Sequence, residues 1–256
     1  MNRRAMGPIL VFLVVSAAAS PLLSMMQAGS AIDPVVFQLT VLSTAVGAAV
    51  VWVIWRGRLA YPPTVKRGLA RPLLGGAAAI AVLAGLLFEL AHAQHAPWRT
   101  AGMGDLGGPL AILLLVQLLG AGAEEVGWRG LVQPLLETRL RPALAALITG
   151  ALFAVGHFYL AFSISALAFT LFVAAATAMS LLLAVFTLGR SFADRVAIAT
   201  VLHFLINMAT FSLFSDGDGS VLYFADLATV FGVGGVIAFA IMLKLRPTAR
   251  SRSIPG

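Results

Sequence analysis

Cysteine is absent from the chain, and charge is scarce: 11% of its 256 residues are Asp, Glu, Lys or Arg. The first absence excludes disulfides and thiolate metal ligands. The second excludes an ordinary soluble domain, in which about a quarter of the residues are charged. Acids are rarer than bases, 10 against 17, and only 4 histidines occur. Apolar residues fill the space instead, at 60% of the chain with a mean hydropathy of +0.98. Such a composition implies a polytopic membrane protein.

Apolar runs of about the 20 residues that a bilayer requires occur near 7–28, 34–55, 72–92, 107–127, 142–161, 164–188, 195–214 and 221–244. They predict an all-α membrane protein of about eight transmembrane helices. Short Pro-, Gly- and Ser-rich breaks such as Tyr61-Pro62-Pro63 and Ser215-Asp216-Gly217-Asp218-Gly219 separate the runs. No internal repeat, separate soluble domain or low-complexity tail is visible, so residues 1–256 read as one membrane domain.

With the N-terminus on the cytoplasmic side, the inner segments hold every basic residue except Arg99, among them Arg56, Arg58, Lys66, Arg67, Arg71, Arg139, Arg141, Arg190 and Arg195. This asymmetry orients both termini toward the cytoplasm, in a plasma (inner) membrane. It also accounts for the net charge of +7, since these cations serve orientation and contact with anionic lipid. Nucleic acid is then an unneeded partner. The first run, with Asn2-Arg3-Arg4, an apolar core and Ala17-Ala18-Ala19, resembles a secretory signal. It continues through Pro21 to Met26, long enough to span, and is expected to be retained.

Against this background the stretch Glu124-Glu125-Val126-Gly127-Trp128-Arg129 stands out, with three formal charges in or at the end of an apolar run. Charges in hydrocarbon are costly, so they face a protein interior and carry function. Glu125 and Arg129 are four apart and can pair on one helix face, whereas Glu124 is turned about 100° away. A paired Glu125 is structural and an unpaired Glu124 is free to react. Phe153 and His157, and His203 and Asn207, repeat the four-residue spacing in two other runs. Glu124 and His157 lie equally far along the chain from Leu140 and Arg141. A turn there brings both to one level, about 25 Å away at the helical rise. A hairpin protruding by about 10 Å adds His203 and Asn207 to that level. Pro134 is expected to break the helix before the turn.

Glu124-Glu125-x-x-x-Arg129, Phe153-x-x-x-His157 and His203-x-x-x-Asn207, in this order on three membrane helices, resemble the motif set of the CPBP intramembrane proteases, which include type II CAAX prenyl endopeptidases and relatives linked to bacteriocin processing and self-immunity. The resemblance covers about residues 107–213, the expected catalytic core. It implies a hydrolase in which Glu124 is the general base activating water, aided by His157. His203 and Asn207 would stabilise the oxyanion, while Glu125 and Arg129 hold the site together. The substrate would be a peptide or lipidated protein, for a CAAX-type enzyme a prenylated C-terminal tail. Glu124, His157 and His203 could also hold a divalent metal such as zinc, as in a metalloprotease, although no His-Glu-x-x-His pattern is present. Two other classes compete: a non-enzymatic immunity or scaffold protein, and a proton-coupled transporter using the same carboxylate and histidines.

The other polar residues read as ordinary. Glu89, His92 and His95 have ligand-like spacing but sit near a hydrated end, and Asp216 to Gly219 lacks the ligand set of a calcium loop. Asp226 suits the start of a helix. Trp52 and Trp55 read as interfacial anchors. Gly75, Gly76, Ala174 to Ala178, Gly232, Gly234 and Gly235 read as close-packing surfaces between helices.

Overall fold

The computed structural model describes residues 3–30, 37–65, 67–95, 109–213 and 219–244. Pro97-Trp98-Arg99, the Asp216-Gly217-Asp218 turn, Lys66 and the basic residues Arg246, Arg250 and Arg252 lie outside the described residues. Among the described residues there is no strand. The helices are α1 (Arg3–Ala28), α2 (Ser43–Ile54), α3 (Ala70–Ala93), α4 (Leu110–Gly127), α5 (Gln133–Glu137), α6 (Pro142–Gly156), α7 (Ala166–Thr187), α8 (Phe192–Leu213) and α9 (Val221–Lys244).

Each of the eight apolar runs therefore holds a helix among its described residues, but only 6 described helices are long and apolar enough to cross a membrane. The two shorter ones are Leu39–Ile54 and Pro142–Gly156. The first opens with a 3-10 turn, Leu39–Leu42. The second stops at Gly156, because His157 takes ψ 24° and a 3-10 turn, Phe158–Phe162, follows. Large apolar side chains point outward along the spanning helices, including Val14 and Leu22, Leu74 and Val82, and Val236 and Ile237. In water such a surface would aggregate; in lipid it is the solvated face.

Local sequence sets the junctions. Ser165 caps α7 by accepting a hydrogen bond from the amide of Ala168. Gly189, with φ +70°, supplies the left-handed turn into α8. Where Pro134 was expected to break the chain, the structure instead holds a π turn, Trp128–Val132, that joins α4 to α5 without interruption. Pro134 has no amide hydrogen for the carbonyl of Gly130, and its ring crowds that carbonyl. The helix widens locally, and the amide of Gln133 reaches back to the carbonyl of Trp128.

Three apolar cores lie among the described residues. The first joins α3, α7, α8 and α9 through residues such as Leu83, Leu87, Leu202 and Phe231. The second joins α1, α2, α6 and the π turn through Phe12, Ala48, Leu131 and Phe153. The smallest joins α6, α7 and α9 through Ala146, Leu181 and Met242. Several of the expected packing residues lie at helix crossings: a Cβ on Gly76 would meet Leu202 at 2.5 Å, and one on Gly235 would meet the Cα of Ala178 at 2.8 Å. Gly232 faces open space. The partner of Gly235 is backbone, which cannot rotate away, so Gly235→Val should separate α7 from α9. A cost of about 1–3 kcal/mol is expected, read as a lower melting temperature in detergent, with Gly232→Val as the unaffected control.

Two bases expected to serve lipid contact are internal. Arg195 is 1% exposed and grips Glu137 with two bonds, of 3.1 and 2.5 Å. Arg190 donates to the carbonyls of Arg67 and Gly68. Buried guanidinium groups need such partners, and these tie α8 to α5 and to the start of α3. Trp52 and Trp55 pack against the second core, and Trp52 also donates to the Tyr61 hydroxyl.

Candidate active site

Side chains from α4, α8 and the end of α6 come together inside the helices. Glu124 occupies this junction, and its carboxylate faces two imidazoles, with Oε1 3.6 Å from Nε2 of His157 and Oε2 3.9 Å from Nε2 of His203. Of the four residues expected at one level, Glu124, His157 and His203 thus come together.

Each imidazole is oriented through its other nitrogen. His157 follows the last residue of α6, and its Nδ1 lies 2.9 Å from the carbonyl of Phe153. A carbonyl only accepts, so Nδ1 carries the hydrogen and Nε2 turns to Glu124. This explains the spacing of Phe153 and His157: the side chain four residues on satisfies a carbonyl that the ending helix leaves open. His203 places Nδ1 2.8 Å from Oε1 of Glu125, and a carboxylate likewise requires a donor there.

Glu125 therefore has more to do than pair with Arg129. Its Oε1 accepts from both Arg129, at 3.0 Å, and His203, and the residue is fully buried. Phe153 forms the apolar wall, with its ring near those of Trp128, His157 and His203 and the Arg129 guanidinium 5.9 Å from its centroid. Burial behind such a wall strengthens every charge interaction at the site. Asn207 lies one turn beyond His203 on α8. Among the described residues no hydrogen bond joins its side chain to Glu124, Glu125, His157 or His203.

Other residues support the site without a clear signal in the sequence. Thr44 of α2 donates to the carbonyl of Ala123, fixing the helix just before Glu124. Tyr159 lies beside His157, with ring centroids 5.9 Å apart. Glu137 and Arg195 were legible only as separate charges.

Metal binding can be judged from the donors. Tetrahedral zinc with bonds of about 2.0–2.1 Å brings its ligand atoms to about 3.3 Å from one another. The separations of 3.6 and 3.9 Å from Glu124 are wider, and no group of three His, Cys, Asp or Glu side chains among the described residues is arranged to hold a metal ion. The residues as placed do not fit one. At the end of α3, His92 stacks on Phe88, and His95 lies beyond the helix with φ 53°. Asp226 is buried rather than interfacial, at 2% exposure, and accepts from Gln94.

Apolar spans surrounding a carboxylate and two oriented imidazoles define an integral membrane protein with a polar cluster inside its helices. Residues 105–209 match the family model described as type II CAAX prenyl endopeptidase Rce1-like. The match encloses all three motifs and agrees with the resemblance read from them. No curated protein matches the chain.

Proposed function

We propose that the protein is an intramembrane endopeptidase in which Glu124 activates a water molecule to hydrolyse a peptide bond in or beside the membrane. The observation that carries this reading is the carboxylate of Glu124 held between two Nε2 atoms, at distances too long for direct hydrogen bonds. Water placed there donates one hydrogen to Glu124 and the other to Nε2 of His157. As it attacks the scissile carbonyl carbon, its proton passes to Glu124. The tetrahedral oxyanion is met by Nε2 of His203 in its protonated form and by the Asn207 amide. Collapse breaks the carbon–nitrogen bond, and the proton on Glu124 moves to the departing amine. Glu125 and Arg129 hold His203 in place throughout.

No step is routed through a metal. Chelators should therefore leave the cleavage rate unchanged, whereas inhibition reversed by added zinc would return a metal to the mechanism. The substrate class is a peptide or lipidated protein reached from the membrane, with a prenylated C-terminal tail as the first candidate. The basic residues orient both termini toward the cytoplasm and favour a plasma membrane location. The test is incubation of the protein in proteoliposomes with prenylated and unprenylated forms of one C-terminal peptide. Product from the prenylated form supports the reading, and no product from either form rejects it.

A further inference from the structure

Glu125, Arg129, Gln133 and Glu137 recur every four residues along α4, the π turn and α5. The first three are at most 2% exposed, and the side chain of Glu137 is 3% exposed. They form two hydrogen-bonded segments. The inner one runs from His203 through Glu125 to Arg129. The outer one runs from Gln133 through Glu137 to Arg195, whose Nε donates to the carbonyl of Arg190. Between them lies a single step, from Arg129 to Gln133.

Several polar atoms on the residues of this stretch are unpaired. Nε of Arg129, Oε1 of Gln133, Oε2 of Glu125 and Nε1 of Trp128 are buried and have no hydrogen-bond partner among the described residues. The orientation of the Gln133 amide is fixed by chemistry, because only its NH2 group can face the Glu137 carboxylate at 2.8 Å. Its oxygen is therefore a free acceptor, and Nε of Arg129 a free donor. A cation at this step would meet the Arg129 guanidinium, and an anion would meet the carboxylates of Glu125 and Glu137. Water carries both donors and acceptors, and buried polar groups left over by packing are where ordered water resides.

We propose that a buried water molecule bridges Arg129 and Gln133, accepting from Nε and donating to Oε1. It joins both segments into one hydrogen-bonded chain from His203 to the turn at Arg190. Gln133 is then a positioning residue: through the water it holds Arg129, through Arg129 it holds Glu125, and through Glu125 the ring of His203. The consequence for catalysis rests on the peptidase reading above, whereas the water site does not.

The test uses the full chain in nanodiscs with nitrogen-15-labelled arginine. The Arg129 Nε–H resonance, assigned by its loss in Arg129→Lys, should show a magnetisation-transfer contact to a long-lived water in the wild type. That contact should vanish in Gln133→Met, which keeps the length of the side chain and removes its acceptor. In peptide cleavage, Gln133→Met should lower kcat about tenfold with KM unchanged, a split that general loosening of the fold would not give. Absence of the water contact in the wild type overturns the proposal, as does its persistence in Gln133→Met. A wild type that shows the contact but cleaves no peptide upholds the water site and rejects the peptidase reading. If Gln133→Met does not fold, the wild-type contact alone decides.

Discussion

Glu125→Ala should lower stability by about 3–5 kcal/mol, the range for removing one member of a buried, hydrogen-bonded charge pair. The residue is fully buried, and one of its oxygens accepts from both Arg129 and His203. Its loss leaves the Arg129 guanidinium inside the protein without the carboxylate that it pairs with. Arg129→Ala should cost somewhat less, since Glu125 keeps its bond from His203. Thermal unfolding in detergent reads both effects, and melting temperatures equal to the wild type would contradict the assigned support role. Glu125→Ala should lose activity as well, because His203 then lacks the carboxylate that orients it.

Glu124→Gln should behave in the opposite way, folding normally and failing to cleave. The amide has nearly the shape of the carboxylate and makes no direct hydrogen bond that the fold needs, since both imidazoles lie 3.6 Å or more away. It cannot take a proton from water. General-base catalysis contributes about 10²–10⁴-fold, so kcat should fall by at least that range while KM changes little. The pair of variants separates the adjacent glutamates: one supports the structure, the other acts on the substrate. A Glu124→Gln protein that unfolds with the Glu125→Ala protein would reverse that division of labour.

Much of this arrangement was legible in the sequence, for reasons that can be named. Length and hydropathy reveal a membrane helix, and each of the eight apolar runs holds a helix among its described residues, although 39–54 and 142–156 fall short of a full crossing. Helical period alone pairs Glu125 with Arg129. Equal distances from the turn near Leu140 bring Glu124 to His157.

Less visible were the features that depend on how distant segments meet. Nothing local says that the start of α8 reaches the end of α5, so Arg195 reads as a loop cation rather than the buried partner of Glu137. The bond from His203 to Glu125 depends on the register of α8 against α4 in the same way. Pro134 reads as a break because the usual cost of proline assumes a regular helix, and the π turn absorbs that cost by changing the hydrogen-bond partners. Asp226 looks interfacial by its place near a helix start, until Gln94 is found beside it.

The central claim is that Glu124 draws a proton from water at an enclosed membrane site. It is tested most directly by cleaving one prenylated peptide in proteoliposomes made with heavy-oxygen water, with wild type and Glu124→Gln side by side and the product masses measured. The expected result is incorporation of the heavy oxygen into the new carboxyl group with the wild type and negligible product with Glu124→Gln at equal folded protein. Product forming with Glu124→Gln at the wild-type rate would contradict it.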